Sequence, residues 1–163
     1  IPEGGYGVTG AQGAADILTT VDTTNYTHII CATGTGTMMA GLIFGATAQQ
    51  TIIGISVLKN HTSLPDEVAA LLQNDQHERP KYQCIHGYDL GGYAKCSEAL
   101  LEHMRSLWIM DQLPTDIVYT SKLLYAVKDL LSKNFFPSGS RLLLIHSGGL
   151  QGNRSLPPNT LPF

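Results

Sequence analysis

The sequence has no unbroken apolar run approaching the roughly 20 residues that cross a bilayer as a helix, and no charged amino-terminal segment leading into a signal-like core. Both absences predict a soluble, cytoplasmic protein with no membrane partner. Cysteine is scarce. Cys31, Cys84 and Cys96 are odd in number and share neither a CxxC nor a metal-like spacing, which predicts reduced structural thiols and no metal site. Positive charge is scarce too: 10 Lys and Arg against 13 Asp and Glu leave a net charge of −3, with no basic stripe for nucleic acid. His61, His77 and His103 fall on turns and a helix face without a shared spacing, as surface histidines do. There is no internal repeat and no low-complexity tract. What remains is 163 residues, 43% apolar, enough for one core and too few for two ordinary domains. Ile1 and Pro2 lead straight into Glu3, Gly4 and Gly5, so the chain reads as beginning partway through a longer architecture.

The most informative stretch is Thr27 to Gly45. His28 to Ala32 is β-rich and apolar, a buried strand, and Met38, Leu42 and Ala46 then recur at helical spacing. Between them lie Thr33, Gly34, Thr35, Gly36 and Thr37. Two glycines allow a sharp turn and close approach to a ligand, and the free amides of the next helix, backed by its dipole, form an anion site. The loop holds no Lys or Arg, so backbone and hydroxyl groups must carry the anion, which suits the phosphate monoester of a cofactor better than a triphosphate. A glycine-rich turn that binds nothing has the same sequence.

The rest of the chain alternates between the two periodicities. A small-residue helix is expected from Val8 through Val21, a strand over Thr51 to Leu58, and a helix from near Pro65 to about Gln76. A third strand spans Tyr82 to His86 and opens into the Gly87 to Tyr93 loop, rich in glycine and tyrosine. Helices follow over Ser97 to Trp108 and Thr120 to Ser132, then a fourth strand over Arg141 to His146 that empties into Ser147, Gly148 and Gly149. The order predicts an α/β fold: a parallel twisted sheet with helices on both faces and ligands beyond the carboxyl ends of the strands. Three loops, Thr33 to Thr37, Gly87 to Tyr93 and Ser147 to Gly149, share that edge. Residues 1–152 read as one partial cofactor-binding domain and 153–163, with Pro157, Pro158 and Pro162, as an extended arm packed on the surface or on a partner.

Five stretches, in order, resemble the carboxyl-terminal half of the 1-aminocyclopropane-1-carboxylate deaminase and D-cysteine desulfhydrase family, pyridoxal-phosphate enzymes of the tryptophan synthase β fold (fold type II): IPEGG at Ile1, TGTGTMMAG at Thr33, GGYAK at Gly91, VYTSK at Val118 and HSGGL at His146. The resemblance implies a pyridoxal 5'-phosphate cofactor whose phosphate is cradled by Gly34, Thr35, Gly36 and Thr37. It implies that Tyr93 and Tyr119 are catalytic tyrosines facing substrate and cofactor, that Ser147 hydrogen-bonds the pyridine nitrogen, and that Thr120 lies close by. It further implies a lyase or deaminase acting on a small amino acid, and a homodimer.

The chain departs from that pattern at Thr120, where the deaminases carry Glu, at Ser147, where they carry Leu, and at Met38, where relatives carry a small hydroxyl residue. The hydroxyl pair is closer to the desulfhydrase pattern. Nothing in the sequence matches the family's Schiff-base lysine or its Ser-Asn stretch, which belong to the amino-terminal half, so an amino-terminal half or companion chain is expected to supply them and the chain alone to be inactive. The alternative is a non-catalytic module that binds a phosphate-bearing ligand or another subunit. A GxGxxG dinucleotide loop does not fit, since Gly41 comes too late.

Overall fold

A computed structural model describes residues 2–73 and 78–163. Four parallel strands, β1 (His28–Thr33), β2 (Thr51–Ser56), β3 (Lys81–Ile85) and β4 (Leu142–Ile145), form one sheet in the order β3-β2-β1-β4. Five helices accompany it: α1 (Val8–Ala15), α2 (Thr37–Gly45), α3 (Leu64–Leu72), α4 (Glu98–Asp111) and α5 (Thr120–Ser132). The inner strands are β2 and β1, and β1 pairs Ile30 with Ile53 of β2 on one side and with Leu144 of β4 on the other.

Both faces of the sheet are covered, and the two-residue period of the strands decides which side chain goes where. Ile29, Cys31 and Ile52 pack with Met39, Leu42, Leu64 and Val68 from α2 and α3. Ile30, Ala32, Ile53 and Ile55 face the other way, onto Leu123, Ala126, Val127 and Leu130 of α5. A third cluster joins Leu100 and Met104 of α4 to Ile117 and Val118, just ahead of α5.

The expected small-residue helix packs as closely as its composition suggests. A β-carbon on Gly41 of α2 would stand 2.5 Å from the Ala11 carbonyl oxygen and 2.5 Å from the Ala14 β-carbon, so α1 and α2 touch backbone to backbone. That helix is shorter than the pattern through Val21 predicts. It gives way at Asp16 to a 3-10 segment, Asp16–Thr20, in which the Thr19 and Thr20 hydroxyls donate to the carbonyls of Asp16 (2.8 Å) and Ile17 (2.7 Å). Those side-chain bonds compete with the α-helical ladder and favour the tighter turn.

The other elements lie within a few residues of their expected bounds. Helix α5 matches its pattern, while α4 runs past Trp108 to Asp111 and stops at Gln112, which is left-handed at φ 53°. The expected end of α3 near Gln76, and His77, lie outside the described residues. The carboxyl-terminal segment is not an extended arm throughout. It opens with a 3-10 turn, Gln151–Ser155, and then folds back across α4, where the Phe163 ring lies 5.2 Å from that of Trp108 and Arg105 donates to the Thr160 carbonyl at 3.3 Å. Among the described residues, no helix is long and apolar enough to cross a membrane.

Candidate phosphate and ring site

Because all four strands are parallel, the segments that leave their carboxyl ends emerge on one edge, and a cavity of about 200 Å³ opens there. Its lining is residues 32–38, Glu3 and Gly4 from the amino-terminal turn, Tyr119 and Ser147. Thus Gly34, Thr35, Gly36, Thr37, Tyr119 and Ser147 are brought together, and Tyr93 and Thr120 are not among the residues that line it.

The loop has the geometry of an anion cradle. Gly36 is the residue before α2 and adopts φ 82°, and a β-carbon there would also stand 2.8 Å from Val68 Cγ2. A left-handed residue with no room for a side chain is a glycine position. No side chain caps α2, so the amides of its first turn point into the cavity mouth without a protein acceptor from a cap. The Thr35 and Thr37 hydroxyls lie 2.9 Å apart across the same loop. Thr35 is wedged against Gly4, where a β-carbon would stand 2.7 Å from its hydroxyl oxygen. The amino-terminal turn therefore closes one side of the cradle.

Tyr119 stands over the loop: a β-carbon on Gly34 would lie 3.6 Å from its ring and 3.7 Å from its hydroxyl. Burial raises its phenol pKa above the ordinary tyrosine value, and nearby Tyr93, Asp116 and Glu3 add to the shift. Tyr93 is 61% exposed and outside the cavity lining. Its loop, from Leu90 to Ala94, holds four left-handed residues and hangs on the neighbouring helix. The Lys122 side chain, fully buried one turn into α5, donates to the carbonyls of Asp89 and Gly92, both at 2.7 Å.

Thr120 has a different occupation. Its hydroxyl donates to the Asp116 carboxylate at 2.8 Å and accepts the Asp116 amide at 2.8 Å, and the side chain is 1% exposed. Asp116 organises this turn. Its carboxylate also accepts the amides of Val118, Tyr119 and Thr120 at 2.8 to 3.2 Å, which ties together the turn leading into α5 and fixes the backbone of Tyr119. The residue went unnoticed in the sequence, although an Asp just ahead of a helical run is a capping signal. Ser147 is held through its neighbour. The His146 ring accepts from the Gly148 amide at Nδ1 (3.3 Å), so its Nε2 carries the hydrogen that reaches the Pro114 carbonyl (3.0 Å), linking the loop after β4 to the segment before α5.

Of the histidines expected at the surface, His61 and His103 are partly buried and have partners. His61 lies 3.0 Å from both carboxylate oxygens of Glu67, and His103 packs edge-on against the Tyr125 ring at 5.6 Å. Cys31 is buried and Cys84 half-buried, and burial pushes their thiols up to about 12 and about 11. Among the described residues, no three His, Cys, Asp or Glu side chains gather as a metal site would need. A second, larger groove of about 460 Å³ between α4 and α5 runs along the far half of α5, lined by His103, Tyr125 and Lys128 among others, away from the helix end that carries Tyr119.

Comparison with known proteins agrees with this architecture. No protein-family model matches the chain. A Pyrococcus abyssi protein provisionally named 1-aminocyclopropane-1-carboxylate deaminase is 28% identical over 93% of the chain, which covers 50% of that protein. A Mesorhizobium japonicum protein named 1-aminocyclopropane-1-carboxylate deaminase is 28% identical over 76% of the chain and is covered over 40% of its length. A crystal structure described as an ACC deaminase homologue superimposes with a TM-score of 0.74 and 28% identity, covering 94% of this chain and 50% of that one. The chain spans about half the length of the relatives it matches. In sequence and in fold alike, it is a homologue of the carboxyl-terminal half of the proteins named 1-aminocyclopropane-1-carboxylate deaminase.

Proposed function

We propose that this chain is the half of a pyridoxal-phosphate-dependent lyase or deaminase that anchors the cofactor's phosphate and ring, in an enzyme acting on a small amino acid. The observation that carries the reading is the α2 amino terminus: uncapped amides, left-handed Gly36 and two threonine hydroxyls around one cavity, with Tyr119 and Ser147 on its other walls. These residues fit the group. The α2 amides and the hydroxyls of Thr35 and Thr37 would take the phosphate, whose charge the helix dipole offsets in the absence of a basic residue in the lining. Ser147 would face the ring nitrogen. A hydroxyl there exchanges a hydrogen bond without forcing that nitrogen to be protonated, as a carboxylate would. When bound, the cofactor supplies an electron sink for bonds broken at the substrate's α-carbon. Tyr119, its phenol pKa raised, would be the proton donor within the cavity, and Tyr93 would be the second phenol brought to a substrate.

Thr120, where the deaminases carry Glu, is spent on Asp116 and offers the cavity no carboxylate, and Ser147 lines the cavity with a hydroxyl where they carry Leu; both departures favour D-cysteine desulfhydrase-like chemistry over opening of a cyclopropane ring. No lysine is among the residues that line the cavity, and the lysine that would bond the cofactor is expected from an amino-terminal segment or a companion chain of different sequence.

The test compares binding of pyridoxal phosphate and of pyridoxal to the intact protein carrying this chain. The reading expects the phosphate to add about tenfold or more in affinity, and Thr35→Val with Thr37→Val to erase that advantage while leaving pyridoxal binding unchanged. Equal affinities for the two compounds would overturn it.

A further inference from the structure

Lys122 is fully buried, and among the described residues its ammonium donates to two backbone carbonyls and to no carboxylate: Asp89 O and Gly92 O, each at 2.7 Å. A methionine would fill similar space without the cost of stripping water from a charge. What a methionine could not do is join two carbonyls of one turn. That turn needs joining. Leu90, Gly91, Gly92 and Ala94 have φ of 49°, 103°, 116° and 52°, and two of these four residues carry a β-carbon that disfavours the left-handed region. The turn's own bonds are few: the Gly91 amide reaches the Asp89 side chain at 3.1 Å, the Gly92 amide reaches Asp89 O at 3.0 Å, and the Lys95 amide reaches Gly92 O at 3.2 Å. Both carbonyls taken by Lys122 are therefore already part of the turn, and the ammonium closes it from below.

We propose that Lys122 is a positioning residue whose buried ammonium ties the Asp89 to Gly92 turn to the first turn of α5, and so fixes Tyr93 against Tyr119. Lys122 lies one helical turn after Tyr119, and Tyr93 directly follows Gly92, so a single side chain spans the two segments that carry the phenols. Burial depresses the pKa of the ammonium, and the neighbouring Asp89, Cys96 and Asp116 oppose that shift. The proposal rests on Tyr93 and Tyr119 being the pair that faces the ligand.

The experiment uses the intact protein labelled with 3-fluorotyrosine, its Tyr93 and Tyr119 fluorine signals assigned with Tyr93→Phe and Tyr119→Phe. Loss of Tyr93 is expected to lower the titration midpoint of Tyr119, because Tyr93 is among the groups that raise it. Because Lys122→Met removes a cation as well as the clamp, the coupling is read: Tyr93→Phe is expected to shift the Tyr119 midpoint in the unaltered protein and to leave it unmoved in the Lys122→Met background. A Tyr93→Phe shift of the same size in both backgrounds overturns the proposal. Should Lys122→Met fail to fold, the unaltered protein decides: one lysine Nζ with slowly exchanging protons, coupled through hydrogen bonds to the carbonyl carbons of residues 89 and 92, supports the clamp, and the lack of those couplings overturns it. None of these readouts needs the cofactor, so failure to bind pyridoxal phosphate would sink the functional reading and leave the clamp standing.

Discussion

The Asp116 carboxylate accepts the Thr120 hydroxyl at 2.8 Å, and that bond separates what Thr120 does from what its place beside Tyr119 suggests. Within a family resemblance, Thr120 belongs to the cofactor site. In the folded chain its hydroxyl serves the turn that opens α5, and Tyr119 is presented to the cavity by the same turn. Asp116→Ala strands three amides and a hydroxyl in a largely buried place, and a loss of about 2–4 kcal/mol is expected from the unsatisfied donors. Denaturant unfolding measures it. Thr120→Val, which removes only the hydroxyl, should cost less than Asp116→Ala and leave affinity for pyridoxal phosphate within about twofold.

The contact between α1 and α2 is the second place to press. Gly41→Ala puts a methyl group 2.5 Å from both Ala11 O and Ala14 Cβ, and must push the helices apart. A loss of about 1–3 kcal/mol follows from overpacking of this kind. Because α2 begins at the phosphate loop, affinity for the phosphorylated cofactor should fall along with stability. Thermal unfolding with and without pyridoxal phosphate reads both effects.

Tyr88 provides a test at high pH. Its hydroxyl donates to Asp129 at 2.6 Å, and burial first, then the Asp129 carboxylate, push its pKa up to about 12. A phenol whose pKa is higher folded than unfolded favours the folded state while it is protonated. The contribution is complete below the ordinary value near 10 and disappears as pH rises through about 12. Tyr88→Phe should therefore show a shallower loss of stability between those limits than the unaltered protein, measured by denaturant unfolding across that range.

Thiol chemistry checks the core independently. Cys31 and Cys84 pack inside the sheet-and-helix cluster with thiols held at about 12 and about 11, so almost no thiolate is present near neutrality. Both should resist a thiol-exchange reagent at pH 8 in the native protein and react fully in denaturant. Fast native labelling of Cys84 would contradict the packing of β3 against Met39.

Much of this architecture was legible in the sequence because the periodicity changes sharply. The run from His28 to Ala32 alternates between two buried faces, and Met38, Leu42 and their neighbours then turn with helical spacing, so strand, loop and helix announce themselves. Where the pattern failed, side-chain hydrogen bonds were the reason. Thr19 and Thr20 look compatible with a continuing helix, yet their hydroxyls capture carbonyls three residues back. The tail from Asn153 carries prolines that read as an extended arm, whereas Asn153 bonds to the Thr115 carbonyl and the Ile117 amide across a long sequence separation and starts the segment as a turn. Lys122 could not be read at all. Its meaning lies in carbonyls 30 and 33 residues away, which no local pattern reports.

The central claim is that this chain holds the cofactor and that the lysine bonding it lies elsewhere. Borohydride reduction of the intact protein with pyridoxal phosphate, followed by peptide mass spectrometry, tests it most directly. The account predicts a single stoichiometric pyridoxyl-lysine on a peptide outside residues 1–163, reduced in yield by Thr35→Val with Thr37→Val. A stoichiometric adduct on Lys59, Lys95, Lys122 or any other lysine of this chain would contradict it.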